Sequence, residues 1–126
     1  MRILLVVAHG SRRSEANAEV ERFAADLRRR AADRFDRIAV GYLELAAPPF
    51  TEALDDLLAA GASEIVVYPH LLAAGAHVTR DVPEIVASRR GAHPAVTIRI
   101  APHLGRSTGL ATLVLDLVDG GAGDAA

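Results

Sequence analysis

Four times along the chain, a short apolar run leads through a loop into a longer stretch of helical periodicity. No other feature of the sequence narrows the accessible folds as much. Residues 3–8, ILLVVA, are apolar without a break, the pattern of a strand covered on both faces. The next helical stretch, residues 14–33, sets Val20, Phe23, Ala24, Leu27 and Ala31 on one face of a 3.6-residue period, with Arg and Glu opposite. Residues 38–43 read as a second strand. Pro48 and Pro49 then lead into a helix with the stripe Phe50, Ala53, Leu54, Leu57 and Leu58, and Gly61 stands where a left-handed cap would end it. A third strand spans residues 64–68. The helix after it extends to about residue 88, with Pro83 either in its first turn or kinking it. Residues 96–100 form the fourth strand, and Ser107 is placed to cap a last helix over 108–118.

This order predicts an α/β fold, a three-layer α/β/α arrangement around a four-stranded parallel sheet. Right-handed crossovers carry the loops that follow each strand to one edge of that sheet. That carboxyl edge is where open α/β sheets take their ligands. A chain of 126 residues, 51% hydrophobic, suits one domain, read over residues 1–118. The closing DGGAGDAA, residues 119–126, reads as a flexible tail with no large apolar side chain to anchor it.

Composition removes several kinds of chemistry. Without cysteine there are no disulfides, thiolate metal sites or cysteine nucleophiles. All 14 basic residues are arginine, so there is no lysine for a Schiff base or a Walker-type phosphate loop. A net charge of −2 and few aromatics argue against nucleic acid as a partner. No apolar run approaches the length of a membrane span, so a cytoplasmic protein without membrane association is expected.

The five histidines are distributed unevenly over this plan. His9 ends the first strand, His70 follows the third, His103 follows the fourth, and His77 lies on the segment after His70. Glu44 ends the second strand, and only His93 falls at the opposite edge. Every strand thus delivers a metal-capable side chain to the carboxyl edge, in three cases through the related strings VVAHG, VYPHL and IAPHL. Imidazole suits Co, Ni, Fe and Zn, and a carboxylate adds an oxygen ligand or a base. Polar residues must also surface wherever buried strands end, so position alone does not separate ligands from bystanders. His70 and His77 are seven apart, which is not the spacing of a helical HExxH zinc site. No Gly-x-Gly-x-x-Gly follows the first strand and no Gly-x-Ser-x-Gly elbow occurs. Ala8 stands where a histidine phosphatase would carry its phosphate-binding arginine, which weakens a phosphate-ester hydrolase built on His9.

Three stretches in combination, VVAHGSRR, GYLELAAPPF and YPHLLAAGAHVTRDVP, resemble the small sirohydrochlorin chelatases, and IAPHLGRSTGL extends the similarity to about residue 118. These are class II, ATP-independent chelatases (lyases) that insert Co2+, Ni2+ or Fe2+ into a modified tetrapyrrole on the way to cobalamin, sirohaem or related products. The resemblance implies a single chelatase domain in which His9, Glu44 and His77 are the catalytic, metal-handling residues. It implies that Ser11, Arg12 and Arg80 bind the substrate, with Arg13 and Arg106 flanking the same edge. His70 and His103 depart from the family pattern, and for His70 a bystander or auxiliary role is expected. Co2+ is the first choice of metal, as substrate rather than resident cofactor, and no nucleotide is needed. Larger members carry two such domains in one chain, so a homodimer is implied here. The last helix, rich in Ala, Leu and Val, then belongs either to that interface or to the core. A non-catalytic carrier of metal or tetrapyrrole is the competing reading of the same cluster.

Overall fold

A computed structural model of the chain describes residues 1–120; the side chains of His77 and Val78 lie outside that description. Four parallel strands form one sheet: β1 (Arg2–Ala8), β2 (Arg37–Tyr42), β3 (Glu64–Pro69) and β4 (Thr97–Ile100), in the order β2-β1-β3-β4. The predicted α/β fold and its four-stranded parallel sheet are present. The register aligns Ile3 with Arg37 on one side of β1 and with Ile65 on the other, so the carboxyl ends of β1, β2 and β3 finish together.

Alternation along the strands divides the core in two. Ile3, Leu5 and Val7 of β1 and Ile65 and Val67 of β3 face α2 (Phe50–Ala59) and α3 (Val82–Ala92). Val6, Ala8, Ile38, Val40 and Tyr42 face α1 (Ser14–Ala31) instead. All five stripe positions of α2 are buried, as their spacing requires. On α1, Ala24 is buried and Val20, Phe23, Leu27 and Ala31 pack beside it. Gly61 has φ 92°, the left-handed conformation expected after α2. Asp55 and Arg89 join α2 to α3 by a two-pronged ion pair at 2.8 and 3.0 Å, and its hydrogen bond from Arg89 holds the Asp55 carboxyl below its usual range.

Three helical boundaries after β3 differ from expectation. The chain enters α3 through a single π-helical turn, His77–Asp81. Pro83 has no N–H to bond the carbonyl four residues back, so a regular α-helix cannot run unbroken through it, and the turn before it widens. At its far end α3 continues to Ala92, beyond the expected residue 88, because Arg89 is anchored on Asp55 and Arg90 Nε donates to the Ile98 carbonyl at 2.8 Å. The last helix, α4 (Leu110–Val118), starts later than expected. Ser107 does not cap it; the Ser107 hydroxyl accepts the Gly109 N–H at 3.1 Å and closes a small turn ahead of it.

The position of α4 decides between its two expected roles in one respect: none of its residues is buried, so it is not part of the core. Leu113, Val114, Leu115, Leu117 and Val118 are all exposed, between 47% and 73%. No described helix is long and apolar enough to cross a membrane. Of the tail read over residues 119–126, everything from residue 121 on lies outside the described residues.

Candidate metal site at the carboxyl edge

His9 and Glu44 leave the ends of neighbouring strands and meet. His9 Nε2 lies 2.8 Å from Glu44 Oε1, with the side chains 55% and 45% exposed. The parallel ladder continues past both strands to hold them: Leu43 N–H donates to the Ala8 carbonyl at 2.9 Å and Glu44 N–H to the His9 carbonyl at 3.0 Å. Gly10 makes the approach possible. Its φ is +95°, and a Cβ built there would lie 1.7 Å from the Glu44 carbonyl oxygen, so only glycine fits. Leu45, the next residue after Glu44, has φ 62° and is exposed. A leucine in the left-handed region costs about 1–2 kcal/mol, a strain of the kind that collects at functional sites.

The loop after His9 is fixed from α1. Asn17 Oδ1 accepts the Ser11 N–H at 3.0 Å, and Asn17 Nδ2 donates to the Ser11 carbonyl at 2.8 Å. The Ser11 hydroxyl accepts the Arg13 N–H at 3.0 Å. Ser11 therefore shapes the loop through its backbone and side chain together. Arg12, on the loop after β1, and Arg80, in the π-helical turn after β3, are both exposed. Asn17 and Gly10 were not singled out from the sequence. Gly10 adjoins His9 in HGSR, a signal that a close backbone approach would have explained. Asn17 carries no comparable mark.

His77 opens the π-helical turn after β3, so its backbone stands on the third segment of this edge. Among the described residues no third His, Asp or Glu joins His9 and Glu44 in a metal-holding group. His93 lies before β4 at the opposite edge, as expected.

His70 has its own neighbours. Its ring stacks on Phe23 of α1 with centroids 4.3 Å apart and planes 13° from parallel. Its Nδ1 is hydrogen bonded to the Tyr68 hydroxyl at 2.9 Å. Burial lowers its pKa from the ordinary 6.5. The unfolded chain thus takes up a proton near the ordinary value while the folded chain resists it, so this contribution to stability is complete above that pH and is lost as pH falls below it. The urea midpoint is expected to fall between about pH 7.5 and about pH 5, and His70→Gln is expected to shrink that fall. An unchanged pH profile in the variant would show that His70 is not the group responsible.

Two clefts open at this edge on either side of the start of α3. One, about 380 Å³, lies between the end of β2 and α2 and carries Asp81 and Glu84. The other, about 400 Å³, lies at the ends of β3 and β4 and carries His103 and Arg106. A neighbouring imidazole and carboxylate can share one divalent cation. With metal–ligand bonds of about 2.0–2.2 Å, the two atoms need only open to roughly 3.0–3.4 Å.

The comparisons with known proteins agree with this fold. Residues 3–120 match the CbiX family model. The sirohydrochlorin cobaltochelatase of Sulfurisphaera tokodaii is 33% identical over 116 residues, covering 92% of this chain and 90% of that protein. That of Methanothermobacter thermautotrophicus is 38% identical over 89 residues, covering 71% of this chain and 60% of the relative's length. Among solved structures, a CbiX protein of Marinobacter aquaeolei superposes with a TM-score of 0.74 at 28% identity, over 94% of this chain and 95% of that one. The sirohydrochlorin chelatase SirB of Bacillus subtilis, solved in complex with cobalt, superposes with a TM-score of 0.80 at 25% identity, over 94% of this chain and 50% of SirB. In sequence and in fold, this chain belongs to the CbiX family.

Proposed function

We propose that the protein is a class II, ATP-independent chelatase that inserts a divalent metal into sirohydrochlorin, with Co2+ as the first choice and Ni2+ or Fe2+ as alternatives. The observation that carries this reading is the His9–Glu44 pair, 2.8 Å apart at the carboxyl edge of a CbiX-family fold. His9 and Glu44 receive the cation from solvent, and His77, arriving on the π-helical turn, is its third ligand. The site is half exposed and uses few protein ligands, which suits a metal that must be released into the substrate rather than kept.

The reaction balances as an exchange. Two pyrrole N–H bonds break, four ring nitrogens close on the metal, and two protons leave. Imidazole titrates near neutral pH and can take such a proton, while the Glu44 carboxylate offsets the incoming positive charge. Arg12, on the loop that Ser11 helps to shape, and Arg80, in the π-helical turn, pair with the carboxylate arms at the macrocycle rim. Neither cleft at this edge is large enough for a whole macrocycle, so the ring lies across the edge rather than within it.

The working form is a cytoplasmic homodimer with the substrate between two copies. One observation supports the pairing of two copies: α4 presents five exposed apolar side chains. Incubation of the protein with metal-free sirohydrochlorin and Co2+, Ni2+ or Fe2+, followed by visible absorbance, tests the function. An enzyme forms many equivalents of metallated product per subunit. A non-catalytic carrier stops at one, and a rate equal to the protein-free control with every metal would overturn the chelatase reading.

A further inference from the structure

The start of α3 separates the two clefts of the carboxyl edge by charge. Asp81 and Glu84 line the cleft toward β2, whereas among the described residues the lining of the cleft toward β4 contains no carboxylate. Among the described residues its titratable groups are the half-buried His103 and the exposed Arg106, and its walls are apolar, with Pro69, Ile100 and Pro102 among them. The Arg106 guanidinium has no ion-pair or hydrogen-bond partner among the described residues.

The loop that carries these groups is clamped in place. Gly105, between His103 and Arg106, donates its N–H to the Leu71 carbonyl at 3.1 Å. A Cβ on Gly105 would lie 1.6 Å from the Leu72 carbonyl oxygen, so the segment after β4 presses directly on the segment after β3. The latter leads through Thr79 of the π-helical turn, which also lines the cleft. A cationic fork over an apolar floor, held by backbone contact beside the turn that carries His77, matches a carboxylate on a short apolar stem. At about 400 Å³ the cleft accommodates one such arm with its water and excludes a macrocycle.

We infer that the cleft lined by His103 and Arg106 is a subsite for one carboxylate arm of the tetrapyrrole, and that Arg106 is a specificity-determining residue. The inference rests on the chelatase reading for the identity of the ligand. Arg12 and Arg80 line neither of the two clefts, so their contacts with substrate are made in the open. Arg106 differs from them in holding its arm against a wall, and so it sets how the ring is turned relative to His9 and Glu44.

The test titrates metal-free sirohydrochlorin into wild type, Arg106→Gln and Arg106→Lys, following the change in the macrocycle's absorbance, and measures cobalt insertion by the same proteins. Arg106→Gln is expected to raise Kd about tenfold and also to lower kcat several-fold, because the ring is no longer held turned toward His9 and Glu44, and Arg106→Lys to recover most of the loss. Equal binding by wild type and Arg106→Gln overturns the subsite even where wild type inserts cobalt normally. Weakened binding by Arg106→Gln, in a wild type that binds the ring but never inserts metal, upholds the subsite and overturns the chelatase.

Discussion

Replacement of Gly10 by alanine is expected to lower metal insertion by about a hundredfold and folding stability by about 2–4 kcal/mol. Both effects have one cause. At φ +95° an L-residue is strained, and the new methyl would lie 1.7 Å from the Glu44 carbonyl oxygen and 2.9 Å from its carbon. Those are backbone atoms, so no rotamer change relieves the overlap. The loops must part, which breaks the Glu44 N–H to His9 carbonyl bond and pulls the two side chains out of their 2.8 Å contact. Urea denaturation and the initial insertion rate measure the two consequences separately. A variant as stable and as active as wild type would show that the close approach of the two loops does not build the site.

The second large effect concerns the ligands themselves. His9→Ala removes the imidazole that faces Glu44, leaving the carboxylate with water. His77→Ala removes the ligand proposed to arrive on the π-helical turn. Each is expected to reduce insertion by about 10²-fold or more, because a metal-handling group that also takes protons contributes on that scale. His70→Ala is expected to keep most of the activity. Its ring is committed to Phe23 and to the Tyr68 hydroxyl, so its loss costs about 1 kcal/mol of packing rather than a step of the reaction.

Much of this geometry was legible in the sequence, and the reasons are specific. The apolar runs were readable because a strand covered on both faces is apolar throughout, and the α2 stripe because burial imposes a period of 3.6 on a helix. The meeting of His9 and Glu44 was approachable because crossover handedness sends every strand end to one edge. Sequence could not show that β1 and β2 are adjacent, nor that Gly10 lets their loops touch. The π-helical turn depends on how the chain enters Pro83, and the true end of α3 depends on Arg89 reaching Asp55, 34 positions away. The exposure of α4 was equally hidden. Its composition suits a core or an interface alike, and only its position shows that no core covers it. In YPHLLAAGAHVTRDVP the Gly-x-His and Asp-x-Pro frame of the resemblance set His77 apart from His70, whereas the stacking of His70 on Phe23 was not legible there.

The most direct measurement compares cobalt insertion into sirohydrochlorin by wild type, His9→Ala, His77→Ala and His70→Ala at equal concentration, under one set of conditions and above the protein-free rate. The expected pattern is near-complete loss in His9→Ala and His77→Ala, with His70→Ala within about threefold of wild type. Loss in His70→Ala as deep as in His77→Ala, or full activity in His9→Ala, would contradict a metal site centred on His9, Glu44 and His77.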